Sequence, residues 1–279
     1  MKLRRNFLPK NVADWGGFLF LLLVVPVFYW FEMFIVVPDC YTSSSVWYWI
    51  HFVTGSFLMI NIVSNFLAVM FIDTSIFSAD VSKEETENWN FCHTCQLPVP
   101  PRCWHCDACN VCILKRDHHC TFSGCCVGYA NHRFFFMFLT YFFIASVYAL
   151  YFNLFYILTR ITFELGVILQ IFFPVMLMLL GVRKALNHVY MILLVLNVVG
   201  VLISGLLLRF HLHLVLRGSV SYEKNRYITK YDCGVRRNIY NIFGNRWYLT
   251  WISPFIDSPL NINGVHWDVE TNTRKTKFY

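Results

Sequence analysis

The chain has 279 residues, of which 57% are hydrophobic, 19% aromatic and only 14% charged, with a formal net charge of +7. A water-soluble globular domain carries roughly a quarter charged residues, so this composition excludes one and points to a membrane protein. Most of the eleven cysteines crowd into one stretch, which marks a second, metal-dependent part beside the membrane segments.

In chain order, Lys2, Arg4, Arg5 and Lys10 precede a first apolar run, Gly16–Val37. A basic and then apolar opening resembles a signal peptide, but the run is too long and no small-residue cleavage site ends it, so it is expected to remain as a span. The loop that follows, PDCYTSSS, has no Lys or Arg, which places the amino terminus in the cytosol. Further runs of the roughly 20 residues needed to cross a hydrocarbon core are Val46–Ile72, Phe134–Leu158 and Val189–Leu208, none with Asp, Glu, Lys or Arg. Glu32 in the first run is costly facing lipid and is expected to point into the bundle or lie near the lumenal interface. A fifth run, residues 166–182, is at the lower limit of length and contains Gln170 and Pro174, so it reads as interfacial or re-entrant, with a fifth span as the rival.

Four spans place both termini and the segment between spans two and three on one side, and a thiol-rich CxxC array belongs in the reducing cytosol. The expected organisation is residues 1–72 for the cytosolic amino terminus and spans one and two. Residues 73–133 form a cytosolic cysteine-rich domain, residues 134–208 hold spans three and four with the extra segment, and residues 209–279 form a cytosolic tail. The cytosolic insert opens with the polar, acidic SADVSKEETENWN, expected as a surface turn or short helix. No internal repeat is evident. From Arg209 onward eleven Lys/Arg face five Asp/Glu, a balance that suits an anionic membrane surface rather than nucleic acid.

The stretch from Cys92 to Cys126 holds nine cysteines and four histidines in thirty-five residues. Two CxxC knuckles, Cys92/Cys95 and Cys106/Cys109, followed by Cys112 and by Asp117-His118-His119-Cys120, supply more ligands than one tetrahedral zinc uses. Two zinc sites fit with residues left over, and the insert has too little apolar material to fold without metal; short hairpins around each knuckle are expected. The residues alone leave open which of Cys106, Cys109 and Cys112 pair together. Asp117, His118 and Cys120 can form a Cys-His-Asp arrangement, in which an imidazole takes the thiol proton and a carboxylate orients the ring. The rival arrangement makes Cys120 a further zinc ligand and His118 a surface residue.

The pattern C-x2-C-x9-H-C-x2-C-x2-C-x4-D-H-H-C-x5-C-x4-N, from Cys92 to Asn131, resembles the cysteine-rich domain of the DHHC protein S-acyltransferases, or palmitoyltransferases. The resemblance implies an α-helical integral membrane protein, a four-span bundle with a cytosolic double-zinc domain. It implies one structural zinc on Cys92, Cys95, His105 and Cys112 and a second on Cys106, Cys109, His119 and Cys126. It further implies transfer of a long-chain acyl group from an acyl-CoA such as palmitoyl-CoA, through an acyl-Cys120 intermediate, to cysteines of membrane-associated substrate proteins. Arg102, Lys115, Arg116 and Arg133 are candidates for the CoA phosphates, and Asn131 and Asn238 for structural hydrogen bonding.

The chain departs from the family pattern at Thr121-Phe122, where Pro-Trp is usual, and its Asp73-Thr74-Ser75 and Val220-Ser221-Tyr222-Glu223 are altered forms of two family motifs. Tyr231-Asp232-x-Gly234-x-x-x-Asn238 matches a third. The altered motifs leave a catalytically silent zinc-stabilised scaffold as the alternative, and a transporter is disfavoured by the scarcity of ionisable groups in the spans. Trp247, Trp251 and Phe255, four residues apart, predict one face of an interfacial helix, with ordinary packing against the insert as the equal alternative. Cys103, Cys125 and Cys233 read as inert thiols. Lys275 and Lys277 form a KxKxx ending, which points to the endoplasmic reticulum membrane, with the Golgi as alternative.

Overall fold

The computed structural model describes residues 2–79, 89–160, 169, 173–181 and 185–267. The acidic opening of the insert and the KxKxx ending therefore lie largely or wholly outside the described residues, as do seven of the seventeen residues of the fifth apolar run. Four helices among those described are long and apolar enough to cross a membrane: Val12–Cys40, Val46–Phe71, His132–Ile157 and His188–Leu216. This is a multi-pass helical membrane protein.

The first of them is α1 (Val12–Phe31), a π turn (Glu32–Val36) and α2 (Val37–Cys40) in succession. Pro38 removes a backbone donor at its far end, and the helix widens just before that point. Then come α3 (Val46–Phe71), α4 (His132–Arg160), the six-residue α5 (Pro174–Leu179) and α6 (Ala185–Leu216). Helix α5 takes six of the described residues of the fifth run. Two short helices follow, α7 (Ser221–Asn225) and α8 (Val235–Phe243).

By contacts the chain divides into two compact units, one of residues 22–62 and 139–208 and one of residues 1–21, 63–138 and 209–279. The first is purely helical. Its core packs Phe31, Val36, Phe152, Tyr156, Ile157, Met191, Leu193 and Leu194. Glu32 is only 4% exposed, turned into the protein as the cost of a carboxylate in lipid requires. Polar groups of this unit bond across helices: Asn153 donates to Asn197 Oδ1 (3.2 Å), and Asn197 donates to the Ser146 carbonyl (3.0 Å).

The second unit holds three antiparallel hairpins: β1–β2 (Asn90–Cys92, Leu97–Val99), β3–β4 (Trp104–Cys106, Val111–Ile113) and β5–β6 (His118–Cys120, Cys125–Val127). Each is two three-residue strands joined by four residues, and each begins fourteen residues after the last. Cys92, Cys106 and Cys120 occupy one equivalent position, and Val99, Ile113 and Val127 another, all three of the latter buried. The last turn residue has positive φ each time: 53° at Gln96, 52° at Asn110 and 61° at Gly124. The sequence reading found no repeat; the structure shows one, hidden because few of the fourteen positions keep their residue type.

A second correction concerns the tail. Residues 247–255 form successive turns, not a helix. Their bonds close three residues back, as in Leu249 N–H to the Arg246 carbonyl (2.9 Å) and Ile252 N–H to the Leu249 carbonyl (3.0 Å), and Pro254 has no N–H to continue a helix. Trp251 stacks on Phe243 of α8 (6.5 Å).

Candidate active site and metal centres

Two groups of four ligands converge in the second unit: Cys92, Cys95, His105 and Cys112, and Cys106, Cys109, His119 and Cys126, the donor atoms of each within 4.8 Å of one another. Strand geometry explains the interleaving that the residues left open. Successive side chains of a strand point to opposite faces, so His105 and Cys106 on β3 serve different groups. Residues paired across the hairpin share a face, so His105 meets its partner Cys112, and His119 meets its partner Cys126. Each knuckle is thus completed by a His and a Cys from the next hairpin.

The donor sets fit a tetrahedral ion. Around such zinc, with Zn–S near 2.3 Å and Zn–N near 2.0 Å, neighbouring ligand atoms lie about 3.3–3.8 Å apart. Here Cys95 Sγ is 3.3 Å from His105 Nδ1 and 3.6 Å from Cys112 Sγ. His119 Nδ1 lies 3.4, 3.6 and 3.8 Å from the sulfurs of Cys109, Cys106 and Cys126. Both groups can hold metal ions.

The alternation also divides β5. His119 faces the second ligand group, while His118 and Cys120 lie on the other face. The ring of His118 donates from Nδ1 to Asp117 Oδ2 at 2.6 Å, and Cys120, two residues on along the same strand face, is near enough for the two groups to shift each other's protonation. Burial by itself would raise the Asp117 carboxyl, but the bond from His118 and the neighbouring imidazoles hold it well below the carboxylate range. Burial likewise opposes charge on His118; Asp117 and Cys120 outweigh it and raise the ring to about 9. Burial opposes the Cys120 thiolate too, and His118 outweighs it, so the thiol sits below its ordinary value. The geometry favours a thiolate beside an imidazolium.

Residues distant in sequence hold this triad. The Ser221 amide and hydroxyl both donate to Asp117 Oδ1 (2.7 and 2.9 Å). Phe135 packs edge-on against His118 (5.1 Å), and His211 lies beside both rings, its Nδ1 3.8 Å from Asp117 Oδ2. Asp117, His118 and His211 form a third cluster of donor atoms within 4.8 Å, but the 2.6 Å contact is too short for two ligands of one ion and is a hydrogen bond. Neither His211 nor Ser221 was singled out for this role from sequence; a lone histidine in an apolar span carries no local signal. The altered motifs are bonded into the fold. Thr74 accepts at its carbonyl from Leu114 N–H (3.0 Å) and at Oγ1 from Ala130 N–H (3.2 Å). Glu223 takes two bonds from Arg102 (2.7 Å each) and one from Val220 N–H (3.0 Å).

The four basic candidates lie unevenly. Arg102 is held by Glu223 and by the Gly218 carbonyl (2.8 Å), between the rings of Tyr231 and Trp267. Arg133 donates to the Ser258 carbonyl (2.6 Å). Lys115 is buried, and burial, with the nearby Arg102 charge, pushes its ammonium down to about 7. Arg116 is half-buried, with its side chain near the sulfurs of Cys126 and Cys106. Asn131, wholly buried, donates to the carbonyls of Val69 (3.1 Å) and Cys126 (3.0 Å) and accepts from Gly128 N–H (2.8 Å), tying the third hairpin to the end of α3. Asn238 donates to the Leu216 carbonyl and Asp232 Oδ1 (2.8 Å each) and accepts from Cys233 N–H (3.1 Å). Cys103 and Cys125 are buried, out of reach of modifying partners.

A helical membrane protein that presents a thiol activated by His and Asp on a metal-bracing hairpin has the parts of a thioester-forming acyltransferase. Comparison with known proteins agrees. Residues 85–228 match the model of the DHHC palmitoyltransferase family. The chain is 32% identical over 241 residues to the probable palmitoyltransferase ZDHHC24 of Danio rerio, covering 84% of this chain and 80% of that one. To the Homo sapiens protein of the same name it is 31% identical over 217 residues, covering 76% and 75%. The chain belongs to the DHHC palmitoyltransferase family. It is an enzyme, a protein S-palmitoyltransferase, and nothing in the match favours a silent scaffold.

Proposed function

We propose that Cys120 is the nucleophile of a two-step transfer, with His118 as general base and acid and Asp117 as the carboxylate that orients it. The observation that carries this is the short Asp117–His118 bond on the strand face that also bears Cys120. The Cys120 thiolate attacks the acyl-CoA thioester carbonyl; the new C–S bond forms, the C–S bond to CoA breaks, and the CoA thiolate takes the His118 proton. A substrate-protein cysteine then gives its proton to His118 and attacks acyl-Cys120, restoring the thiol.

Zinc is the ion the two Cys3His sets suit, and closed four-ligand sites of this kind are structural. Cys92, Cys95, His105 and Cys112 would hold one and Cys106, Cys109, His119 and Cys126 the other, bracing the hairpin that carries Cys120. For CoA phosphates, Arg116 is the candidate with least internal bonding, whereas Arg102, Lys115 and Arg133 would have to exchange a buried environment for the ligand. The substrates on this reading are cytosolic cysteines of membrane-associated proteins. The location is the endoplasmic reticulum through Lys275 and Lys277, with the Golgi as alternative; changing both to Ser should move the protein outward, and unmoved fluorescence would reject the signal.

The experiment is acyl-enzyme formation by purified protein in detergent with labelled palmitoyl-CoA. A hydroxylamine-labile label on the wild type, absent from Cys120→Ser at equal zinc content, is expected. Label retained on Cys120→Ser would remove Cys120 from the reaction.

A further inference from the structure

His119 carries a bond that the transfer chemistry does not use. Its Nδ1 faces the three sulfurs of the second ligand group, and its Nε2 lies 3.0 Å from Asp14 Oδ2. Asp14 stands in the first turn of α1, more than a hundred residues earlier in the chain, and is only 2% exposed. It is itself fixed: Asn11 donates from Nδ2 to the same carboxylate oxygen (2.8 Å), and Asp14 N–H donates back to Asn11 Oδ1 (2.8 Å), so Asn11 caps α1. The contact is one of several along this segment. Lys10 donates to the Cys109 carbonyl (2.8 Å), and a Cβ on Gly17 would come within 2.9 Å of the Thr121 carbonyl oxygen.

Among the described residues the first ligand group has no such brace. His105 Nε2 approaches only Asp107, at 3.7 Å, and that carboxylate is fully exposed. A carboxylate accepting from the outer N–H of a ligating imidazole fixes its tautomer and ring orientation and raises its basicity, and water-exposed groups do this poorly.

We propose that Asp14 is a positioning residue. It holds His119 with Nδ1 toward the metal and so locks the middle of the strand whose other face presents His118 and Cys120. This rests on the metal reading of Cys106, Cys109, His119 and Cys126. The first membrane helix thereby fastens the catalytic strand through its amino-terminal turn.

The test is zinc release from the purified full-length protein to excess chromogenic chelator, after confirming about two zincs per chain. Asp14→Ala should release one of the two about 10–100-fold faster and leave the other at the wild-type rate; Asn11→Ala should speed the same phase less. In a His119→Cys background, where the ligand has no outer N–H, Asp14→Ala should have no further effect. An Asp14→Ala effect that persists in that background, release of both zincs together, or wild-type rates throughout would each overturn the inference. Wild-type protein without zinc would overturn the metal reading and this inference with it. Should Asp14→Ala fail to accumulate, Asp14→Asn and Asn11→Ala carry the same comparison.

Discussion

The second and third hairpins share a backbone and differ in purpose. Both have three-residue strands, a four-residue turn and a positive-φ residue before the second strand. In the second, Cys106 and Cys109 form a knuckle, completed by His119 and Cys126 of the next hairpin. In the third, Cys120 takes the place of Cys106 and Ser123 that of Cys109, and no further hairpin follows; the chain enters α4 at His132. Cys120 is therefore a knuckle cysteine deprived of its partners. On the proposed mechanism, removing one thiol and ending the array leaves a cysteine that serves His118 as nucleophile and not the metal as ligand.

The largest effect that can test this comparison comes from matched substitutions. Cys120→Ser should abolish acyl-enzyme, a loss of at least about a thousandfold, with zinc content and melting temperature unchanged. Cys106→Ser should lose zinc and unfold at lower temperature, because closed Cys3His sites hold small domains together. Equal zinc loss in both variants would return Cys120 to the ligands.

Next in size is Asp117→Asn, which leaves His118 without the charge that raises it and should slow acylation by about 10²–10⁴-fold. The pH dependence has a definite sign. A group raised on folding favours its protonated form up to the raised value, so the wild-type ion pair should persist until pH climbs through about 9. In Asp117→Asn the alkaline limit of the pH–rate profile should fall toward the ordinary imidazole value near 6.5; an unmoved limit would show that Asp117 does not set it. Ser123→Cys, which rebuilds a knuckle in the third hairpin, should cut acylation about tenfold by giving Cys120 a metal-binding neighbour. The reading is wrong if added zinc leaves that variant's rate unaltered.

The smallest effect concerns the turns. Gly124→Ala should destabilise by about 1 kcal/mol or more, since φ is 61° and a Cβ would meet Pro9 at 3.0 Å. Asn110→Gly should be neutral or slightly stabilising in thermal melts.

The spans were legible because a hydrocarbon core demands long uncharged runs, and the knuckles because CxxC spacing is short and local. What sequence did not disclose depends on partners far apart in the chain. Asp14 and His211 lie far along the chain from the residues they meet, and only folding brings them to His119 and His118. The three hairpins were hidden for another reason: their likeness lies in strand pairing and backbone sign, which Gln96, Asn110 and Gly124 satisfy with three different side chains. The periodicity of Trp247, Trp251 and Phe255 misled, because a four-residue spacing suits a helix but cannot supply the amide that Pro254 lacks.

Adjacent histidines on a strand leave no tolerance for miscounting. His118 and His119 differ in little except which side of β5 they occupy. A single residue inserted into or deleted from the Thr121–Gly124 turn that slid β5 along β6 would exchange them, presenting the metal-facing imidazole to the thiolate side and the other to the sulfurs. Such a frame error would leave every residue type present and the enzyme dead. Chain length in that short turn is therefore under as strict a constraint as the four letters that precede it.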